Sequence, residues 1–478
     1  MNNLGSFSIS AQDSLDFART SGDFNPLHLD PVAARRTQFG QTLIHGVCGT
    51  LKALDLLLAN LQPGGSLKRI KVKYSKPVTQ GQELTVTAQT TDNSTRLEVF
   101  AGTVRIQIID VEFGAVYPDA TELRENRPPH QGCDELTISG SENLSGAVEF
   151  FWNRAGMAAQ FPNAVQQLPE TQLATLLAST YIVGMKCPGL HSVFAQLEID
   201  FGARNTSAAT TQLEYKVTST DARIDQVQLS LCNAYAVGTI EAFFRAPPAL
   251  QASFDKIAQL VAPDEFRDQN ALVVGASRGL GEVIGKVLAA GGATTMLTYA
   301  SGIDDTNRVA QEIAQHRNAP GVTQYNVLQP SASQQLADFM DSLTHIYYLA
   351  SPTISKGEAR TWDATLFSKY CDFYVHGMAA TLQLVDQHAA KDQGRHLFIP
   401  SSIFLEEKVK GFNEYIAAKT AAEAFAQRYV ASNGQWQVAA PRLPRLHSDQ
   451  TSGVRGTSEE KNLEVIVAQL RELFGKTP

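Results

Sequence analysis

Apolar and polar residues recur with two different periods in the first part of the chain, and each period predicts a different kind of element. A mixed helical pattern comes first, and a longer apolar helix pattern follows over residues 46–61. Two alternating runs, 67–74 and 83–89, and a third run rich in β-branched residues, 97–109, predict three strands. Residues 1–120 therefore predict a long helix ahead of a mostly antiparallel sheet.

The same order of elements returns further along the chain. A polar stretch punctuated by Pro and Gly, residues 122–143, predicts a linker. Beyond it, a helix pattern at 168–183 precedes strand-like runs at 192–201, 211–218 and 224–244. No sequence identity between the two halves is visible, so the repeat is inferred from element order alone.

The pattern changes again after the Pro-rich residues 246–248. A linking helix is predicted first, and short apolar strands then alternate with helices. The strand candidates are residues 271–275, 294–299, 322–327, 346–350, 396–400 and 437–440. This alternation is typical of βαβ units and predicts a doubly wound parallel sheet.

Composition and charge exclude several classes of protein. A chain of 478 residues predicts about three domains, and 43% hydrophobic with 18% charged residues is typical of an ordered globular protein. The net charge of −8, with no block of Lys or Arg, argues against nucleic-acid and anionic-membrane partners. Five scattered cysteines without metal spacing predict no metal site and a cytoplasmic location, and neither a signal peptide nor a membrane span is recognisable.

The third segment carries a glycine-rich turn and a Tyr–Lys pair. Gly275-Ala-Ser-Arg-Gly279-Leu-Gly281 follows the first strand candidate, where backbone N–H groups at a helix start can hold a pyrophosphate. Tyr415 and Lys419 lie one helical turn apart, so a nearby ammonium is expected to lower the phenol's pKa. Ser402 follows the fifth strand candidate, at the edge where such sheets bind ligands.

Over residues 268–450 the sequence resembles the short-chain dehydrogenase/reductase family. The resemblance implies that Tyr415 is the proton donor, that Ser402 holds the substrate oxygen and that Lys419 binds the nicotinamide ribose. It also implies a set of cofactor-binding residues: Gly275, Ser277, Arg278, Gly279, Leu280, Gly281, Asn326, Ala350, Ser351 and Lys419. Arg278 in the turn favours NADPH over NADH, as does the end of the second strand candidate, which is followed by no acidic residue until Asp304.

The segment departs from the family pattern at three places. Tyr374 stands where the family often carries Asn, which puts the proton relay in question. Tyr348-Leu-Ala-Ser351-Pro352 replaces the usual Asn-Asn-Ala-Gly stretch, and the usual Pro-Gly is missing after the sixth strand.

The N-terminal segment carries a candidate acid–base pair. Asn25-Pro26 lies between Asp23 and His28. Proline fixes its own φ and also restricts the backbone of Asn25 before it. A carboxylate and an imidazole together can move protons near neutral pH, as adding water across a C=C bond beside a thioester requires. His45 and Gly46 begin the long helix, whose N–H groups could hold an enolate oxygen.

The string Ser-Gly-Asp23-Phe-Asn25-Pro-Leu-His28 resembles the MaoC-like (R)-specific enoyl-thioester hydratase/dehydratase family, which has the hotdog fold. This resemblance covers about residues 8–115 and implies Asp23 and His28 as catalytic, with Asn25, His45 and Gly46 binding substrate. Residues 144–246 resemble a hotdog more vaguely and lack the string, so a supporting role is expected there. His191, Glu149 and Cys187 are expected to be structural rather than catalytic.

The sequence therefore predicts an α+β double hotdog followed by a Rossmann-like α/β doubly wound sheet. The expected domains are 1–122, 144–246 and 265–478. The expected function is NADPH-dependent reduction of 3-oxoacyl thioesters together with dehydration of 3-hydroxyacyl or hydration of 2-enoyl thioesters, carried on CoA or a carrier protein. Fusion would keep the shared intermediate close to both sites.

Three alternatives stay open. The Rossmann-like domain is a degenerate nucleotide-binding or scaffolding module beside an active hydratase, or the whole chain is an acyl- or carrier-binding adaptor without activity. A homodimer is also open, because hotdog sheets commonly pair.

Overall fold

The computed structural model describes residues 2–60, 66–91, 94–115, 123–129, 131–203, 205, 208–357, 361–390, 393–407, 409–452 and 457–473. The chain divides into two compact units, Met1–Pro247 and Pro248–Pro478. The two predicted N-terminal domains thus share one compact unit.

The first unit combines ten strands with seven helices among the described residues. Its strands are β1 Asn2–Phe7, β2 Ser66–Tyr74, β3 Leu84–Thr90, β4 Thr95–Ala101, β5 Val104–Gly114, β6 Ser145–Glu149, β7 Ser192–Asp200, β8 Gln212–Asp221, β9 Gln226–Cys232 and β10 Val237–Phe244. Its helices are α1 Ala11–Ser21, α2 Pro26–Leu29, α3 Pro31–Ala34, α4 Gly46–Asn60, α5 Arg154–Gln160, α6 Pro162–Gln167 and α7 Glu170–Tyr181. A 3-10 turn spans Ser139–Ser141, and the π-helical turn Ile182–Lys186 continues α7.

All ten strands form one antiparallel sheet, in the order β1-β3-β4-β5-β2-β7-β10-β9-β8-β6. The halves of the unit join where β2 pairs with β7, with Val72 opposite Leu197. The long helices α4 and α7 bury their apolar residues, such as Leu54 and Leu177, in the same core as these strands. Each half therefore contributes one long helix and five strands, which confirms the predicted α+β architecture.

Several predicted elements of this unit have different bounds. The runs 97–109 and 224–244 are hairpins rather than single strands: the first contains β4 and β5 around Gly102, whose φ of +58° suits a tight turn. Each run is longer than the usual strand of about five to six residues. The prediction merged two strands into one because the alternation of apolar and polar residues continues through the short turn between them. Strands β1 and β6 were not predicted, and the helix pattern 46–61 matches α4 up to Asn60, Leu61 being outside the described residues.

The predicted linker packs closely against the first unit. Its described residues 123–129 and 131–136 are called the strap below. Asn126 exchanges hydrogen bonds with the Trp152 backbone, at 2.8 and 3.0 Å. Asp134 N–H donates to the Met185 carbonyl, and the Asp134 carbonyl accepts from Leu190 N–H, both at 2.9 Å. The predicted linker is thus an ordered part of the unit over these residues, because its backbone groups find hydrogen-bond partners in the fold.

The second unit alternates strands and helices. Its strands are β11 Asn270–Val274, β12 Thr294–Tyr299, β13 Gly321–Gln324, β14 His345–Tyr348, β15 Arg395–Phe398, β16 Ser401–Ser402, β17 Trp436–Ala439 and β18 Arg442–Leu443. Its helices are α8 Phe254–Ala258, α9 Gly279–Ala290, α10 Ile303–Ala314, α11 Gln334–Asp341, α12 Ala364–Cys371, α13 Gly377–His388, α14 Asn413–Ser432 and α15 Glu459–Leu473. The π-helical turn Asp372–His376 joins α12 to α13, and a 3-10 turn spans Ile403–Leu405.

Six of these strands form a parallel sheet in the order β13-β12-β11-β14-β15-β17. The order reverses between β11 and β14, where sheets of this kind bind ligands at the strands' carboxyl ends. The predicted doubly wound sheet is confirmed. No helix in the described part of the chain has the length and apolarity needed to cross a bilayer.

Candidate functional site

A sharp reversal of the chain positions the candidate acid–base pair. Helix α1 ends at Gly22, which has φ +80° and donates its N–H to the Ala18 carbonyl. Asn25 then caps α2, its Oδ1 accepting from Leu27 N–H at 3.0 Å, and Pro26 occupies the first helical position. These local signals turn the backbone so that Asp23 and His28 come together.

Asp23 is held in the interior, with a side chain that accepts hydrogen bonds on both oxygens. It is 1% exposed, Thr180 Oγ1 donates to Oδ2 at 2.7 Å, and the Asn25 N–H donates to Oδ1 at 3.3 Å. Burial raises the pKa of Asp23, while the His28 charge and the Thr180 hydrogen bond oppose that shift.

His28 presents one free ring nitrogen beside this carboxyl. Its Nδ1 lies 3.0 Å from the Leu43 carbonyl, which can only accept, so Nδ1 carries the proton and Nε2 keeps its lone pair. Burial lowers the pKa of His28 and the Asp23 charge opposes the shift. A neutral imidazole and a carboxyl whose pKa values move in opposite directions can together accept and return a proton near neutral pH.

His45 completes the cluster. Its Nε2 donates to the Asp23 carbonyl at 2.9 Å, its ring lies 3.9 Å from the His28 ring centre to centre, and its buried Nδ1 has no hydrogen-bond partner within the described residues. Donor atoms of Asp23, His28 and His45 lie within 4.8 Å of one another, a spacing that a metal ion would accept. The two imidazole planes are only 31° apart, however, so lone pairs in the ring planes converge poorly on a single ion. The set suits proton transfer better.

The second half of the unit supports this cluster directly. Asn25 Nδ2 donates to the carbonyls of Gly184 and Gly189 at 2.9 and 3.1 Å, and Thr180 holds Asp23 as described. A Cβ on Gly184 would overlap Asp23 Oδ1 and lie 2.6 Å from Oδ2. Thr180, Gly184 and Gly189 were not predicted, since nothing in their local sequence indicates a carboxylate more than 150 residues away.

Three other candidate residues, His191, Glu149 and Gly46, have different surroundings. His191 Nε2 is 3.1 Å from Glu135 Oε1 of the strap, and Glu149 ends β6 opposite Gln212. Gly46 begins α4, and the Tyr74 ring occupies the space of any side chain there, at 2.8 Å from a Cβ.

In the second unit, Ser402 and Tyr415 form one cluster. Tyr415, on α14, is 7% exposed and lies edge-on to Tyr370 and Tyr374, with ring centres 5.8 and 6.0 Å apart. Burial raises the pKa of Tyr415, and a hydrogen bond with Ser402 opposes the shift. The pKa of Tyr415 is thus raised rather than lowered as expected from the nearby Lys419, because burial dominates.

Lys419 instead faces Tyr374. Its ammonium lies 4.0 Å from the centre of the Tyr374 ring and donates to the Pro400 carbonyl at 2.8 Å. Tyr374 in turn shares a hydrogen bond of 2.7 Å with Ser351 Oγ. Burial lowers the pKa of Lys419 to about 7. These groups line a small cavity together with Tyr348, Ala350, Ser401 and Glu423.

The glycine turn has the geometry of a dinucleotide cradle. A Cβ on Gly281 would overlap the Gly275 carbonyl, and one on Gly275 would lie 3.2 Å from Ala350 N, so both positions need glycine. Gly279, with φ +57°, opens onto free space at the start of α9. These residues fit a pyrophosphate.

The remaining predicted cofactor residues have assorted partners. Arg278 Nη1 pairs with Asp449 Oδ2 at 2.6 Å, Ser277 is buried beside it in the turn, and Leu280 packs against the core of the unit. Asn326 Oδ1 accepts from Leu328 N–H at 3.0 Å.

Two family models match the chain. The model described as MaoC like domain covers residues 5–111, and the model described as short chain dehydrogenase covers residues 269–441. The chain carries a MaoC-like domain and a short-chain dehydrogenase domain. The dehydrogenase domain implies a nicotinamide cofactor.

Relatives match only parts of the chain. A peroxisomal hydratase-dehydrogenase-epimerase of Saccharomyces cerevisiae is 34% identical over 77 residues, 16% of this chain and 8% of that protein. An (R)-specific enoyl-CoA hydratase of Aeromonas caviae is 37% identical over 76 residues, 16% of this chain and 57% of that protein. The matches therefore span less than two thirds of either relative. A short chain dehydrogenase structure from Salmonella enterica serovar Typhi aligns with 44% of this chain and 91% of its own, at 20% identity and a TM-score of 0.39.

Proposed function

We propose that this chain is a bifunctional enzyme of 3-substituted acyl thioesters. The MaoC-like domain interconverts 2-enoyl and 3-hydroxyacyl thioesters, and the dehydrogenase domain reduces 3-oxoacyl thioesters with NADPH. The pair of buried Asp23 and half-buried His28 carries the proposal, because a carboxyl and a neutral imidazole whose Nε2 keeps its lone pair are the groups that water addition needs. The names of the yeast and Aeromonas relatives support it.

For hydration, water binds between Asp23 and His28 Nε2. The water oxygen attacks Cβ of the enoyl thioester, the pair takes one proton from water, and the pair returns one proton to Cα. Its own protonation is thus restored in each turnover. Asn25, clamped by Gly184 and Gly189, fixes the loop that carries both groups.

For reduction, the carbonyl carbon would take a hydride from the nicotinamide when that cofactor is bound. Ser402 donates a hydrogen bond to the carbonyl oxygen, and Tyr415 gives that oxygen its proton. The glycine turn would hold the pyrophosphate of the cofactor, and Lys419 lies at the cavity wall formed by Ser351 and Tyr374. Arg278 and the absence of an early acidic residue support NADPH, although Arg278 must exchange Asp449 for a 2′-phosphate.

The two activities are tested separately on the full chain. Crotonyl-CoA alone reports hydration through the loss of enoyl-thioester absorbance, and acetoacetyl-CoA with NADPH reports reduction through the loss of nicotinamide absorbance. Turnover of both substrates is expected. Failure of both, with the carrier-protein thioesters as well, would contradict the proposal and leave the adaptor alternative.

Substitution of Gly184 by alanine is expected to lower hydration about 100-fold, because the new Cβ displaces the Asp23 carboxylate. The measurement is kcat/KM for crotonyl-CoA. Gly49→Ala is the matched control, since a Cβ at that helical glycine meets only ordinary contacts, 3.5 Å or more away. Equal rates for the two variants would show that the carboxylate tolerates displacement.

A second candidate function is favoured by the Lys419–Tyr374 contact. Tyr374 stands where the family often carries the Asn of the proton relay, and its ring contacts the Lys419 ammonium. Lys419 donates a hydrogen bond to the Pro400 carbonyl. On that basis the dehydrogenase domain binds a nucleotide or serves as a scaffold, and only the MaoC-like domain is catalytic.

The pH dependence of reduction distinguishes the candidates. Because burial lowers the pKa of Lys419 to about 7, its charge is present below that pH and lost above it. We expect the reductase rate to fall as pH rises through about 7, and Tyr374→Asn to move this decline to higher pH by letting water reach the amine. If neither the wild type nor Tyr374→Asn oxidises NADPH at any pH, the result favours the second candidate, in which this domain binds a nucleotide or serves as a scaffold.

The setting of the protein is also proposed. We expect acyl-CoA or acyl-carrier-protein partners, no nucleic-acid or membrane partner, and a cytoplasmic location, although the yeast relative is named as peroxisomal. The first unit already joins two half-sheets within one chain, so a homodimer is not needed to complete its sheet.

A further inference from the structure

Arg245 is a buried cation for which the described residues supply no anionic partner. It follows β10 directly, is 9% exposed, and its Nε has no hydrogen-bond partner among the described residues. Burial lowers its pKa to about 10, and no carboxylate in the described part of the chain compensates its charge. An unpaired buried charge is costly, so such a residue indicates a ligand that supplies the opposite charge.

The guanidinium is linked to the loop that carries the acid–base pair. Its Nη2 donates to the Leu190 carbonyl at 2.5 Å, and the same carbonyl lies 3.4 Å from Asn25 Nδ2, in the loop between Asp23 and His28. The Arg245 charge also lowers the pKa of His28. The strap adds the Cys133 thiol close to the same charge. Arg245 is therefore coupled, through one shared carbonyl and through its charge, to the loop that carries Asp23 and His28.

We infer that the MaoC-like site takes acyl thioesters that carry a carboxylate on the acyl chain, and that Arg245 binds this carboxylate. The inference rests on the proposed hydratase function. The phosphates of CoA or a carrier lie a whole pantetheine arm away from the carbon atoms that Asp23 and His28 serve, so they cannot reach Arg245. A carboxylate close to the C=C bond can, and the planar guanidinium matches its two oxygens.

Two matched substrates test the inference on the full chain. Crotonyl-CoA has a methyl group where the monothioester of fumaric acid with CoA has a carboxylate, and both contain the same trans C=C bond. We expect wild-type kcat/KM to be at least tenfold higher for the fumaryl thioester. Arg245→Met should lower that value about 100-fold and leave crotonyl-CoA hydration within about threefold, because only the charged group loses its partner.

Further variants separate binding from folding. Arg245→Lys keeps the positive charge but lacks the planar guanidinium that can bind both carboxylate oxygens. It should therefore lower kcat/KM for the fumaryl thioester less than Arg245→Met does. Arg223→Met is the control, because Arg223 is an exposed arginine of the same unit, 87% exposed and paired with Asp221. Melting temperatures of all variants identify any that fail to fold.

Three outcomes are decisive. Selective loss of fumaryl-thioester hydration supports the inference. Equal loss for both substrates in the folded variants, or a wild-type preference for crotonyl-CoA, overturns it while the hydratase function stands. If the wild type hydrates neither thioester, the proposed function itself fails.

Discussion

Replacement of Asp23 by asparagine is expected to lower kcat/KM for crotonyl-CoA hydration about 1,000-fold, because an amide cannot take a proton from water. The shape of the side chain is kept, and its Oδ can still accept from Thr180. Since burial raises the pKa of Asp23, the charged carboxylate costs stability at neutral pH, and the variant should melt at the same or a higher temperature. Activity and stability thus move independently.

Asp16→Asn provides the comparison for this variant. Asp16 lies on α1, its side chain is 43% exposed, and its ion pair with Arg19 is remote from the cluster. We expect wild-type hydration from Asp16→Asn. A hydration rate that survives in Asp23→Asn would remove the carboxyl from the mechanism and leave His28 as the sole proton carrier.

Replacement of Tyr415 by phenylalanine is expected to lower acetoacetyl-CoA reduction about 1,000-fold, because the carbonyl oxygen loses its proton donor. Hydration of crotonyl-CoA should be unchanged, since Asp23 and His28 belong to the other unit. NADPH binding, measured by nucleotide fluorescence, should persist because the glycine turn is untouched. Loss of binding and rate together would indicate a structural role for the phenol.

The matched control is Tyr429→Phe on the same helix, α14. The Tyr429 hydroxyl donates to Asp386, on α13, and takes no part in the Ser402–Tyr415 cluster. Its reduction rate should equal that of the wild type. If both tyrosine variants lose reduction equally, the helix rather than the phenol at 415 is responsible.

The sequence was informative where chemistry is encoded in a few adjacent residues. Asp23 and His28 share one short loop whose Gly, Asn and Pro signals dictate the turn, and Tyr415 and Lys419 share one helix. The βαβ alternation predicted the parallel sheet, because each strand and each helix has its own period.

The sequence was less informative where distant residues decide the outcome. Thr180 and Gly184 contact the loop of Asp23 and His28 from more than 150 residues away along the chain, so no local pattern marks them. The direction of the Tyr415 pKa shift was misjudged because spacing along a helix does not show how deeply the phenol is buried. Arg245 was missed for a similar reason: a single arginine after a strand becomes significant only when its burial is known.

The two half-sheets that β2 and β7 join contribute different groups to the candidate site. A symmetric dimer of single hotdogs would carry two equivalent sites. Each subunit would then need both the proton-transfer groups and the groups that hold them in place. In this chain one half carries the Asp23–His28 pair and the other half carries the groups that hold it, Thr180, Gly184 and Gly189. Division of these tasks within a single polypeptide means that the candidate site is built once, from two halves with the same order of elements, and neither half is complete without the other.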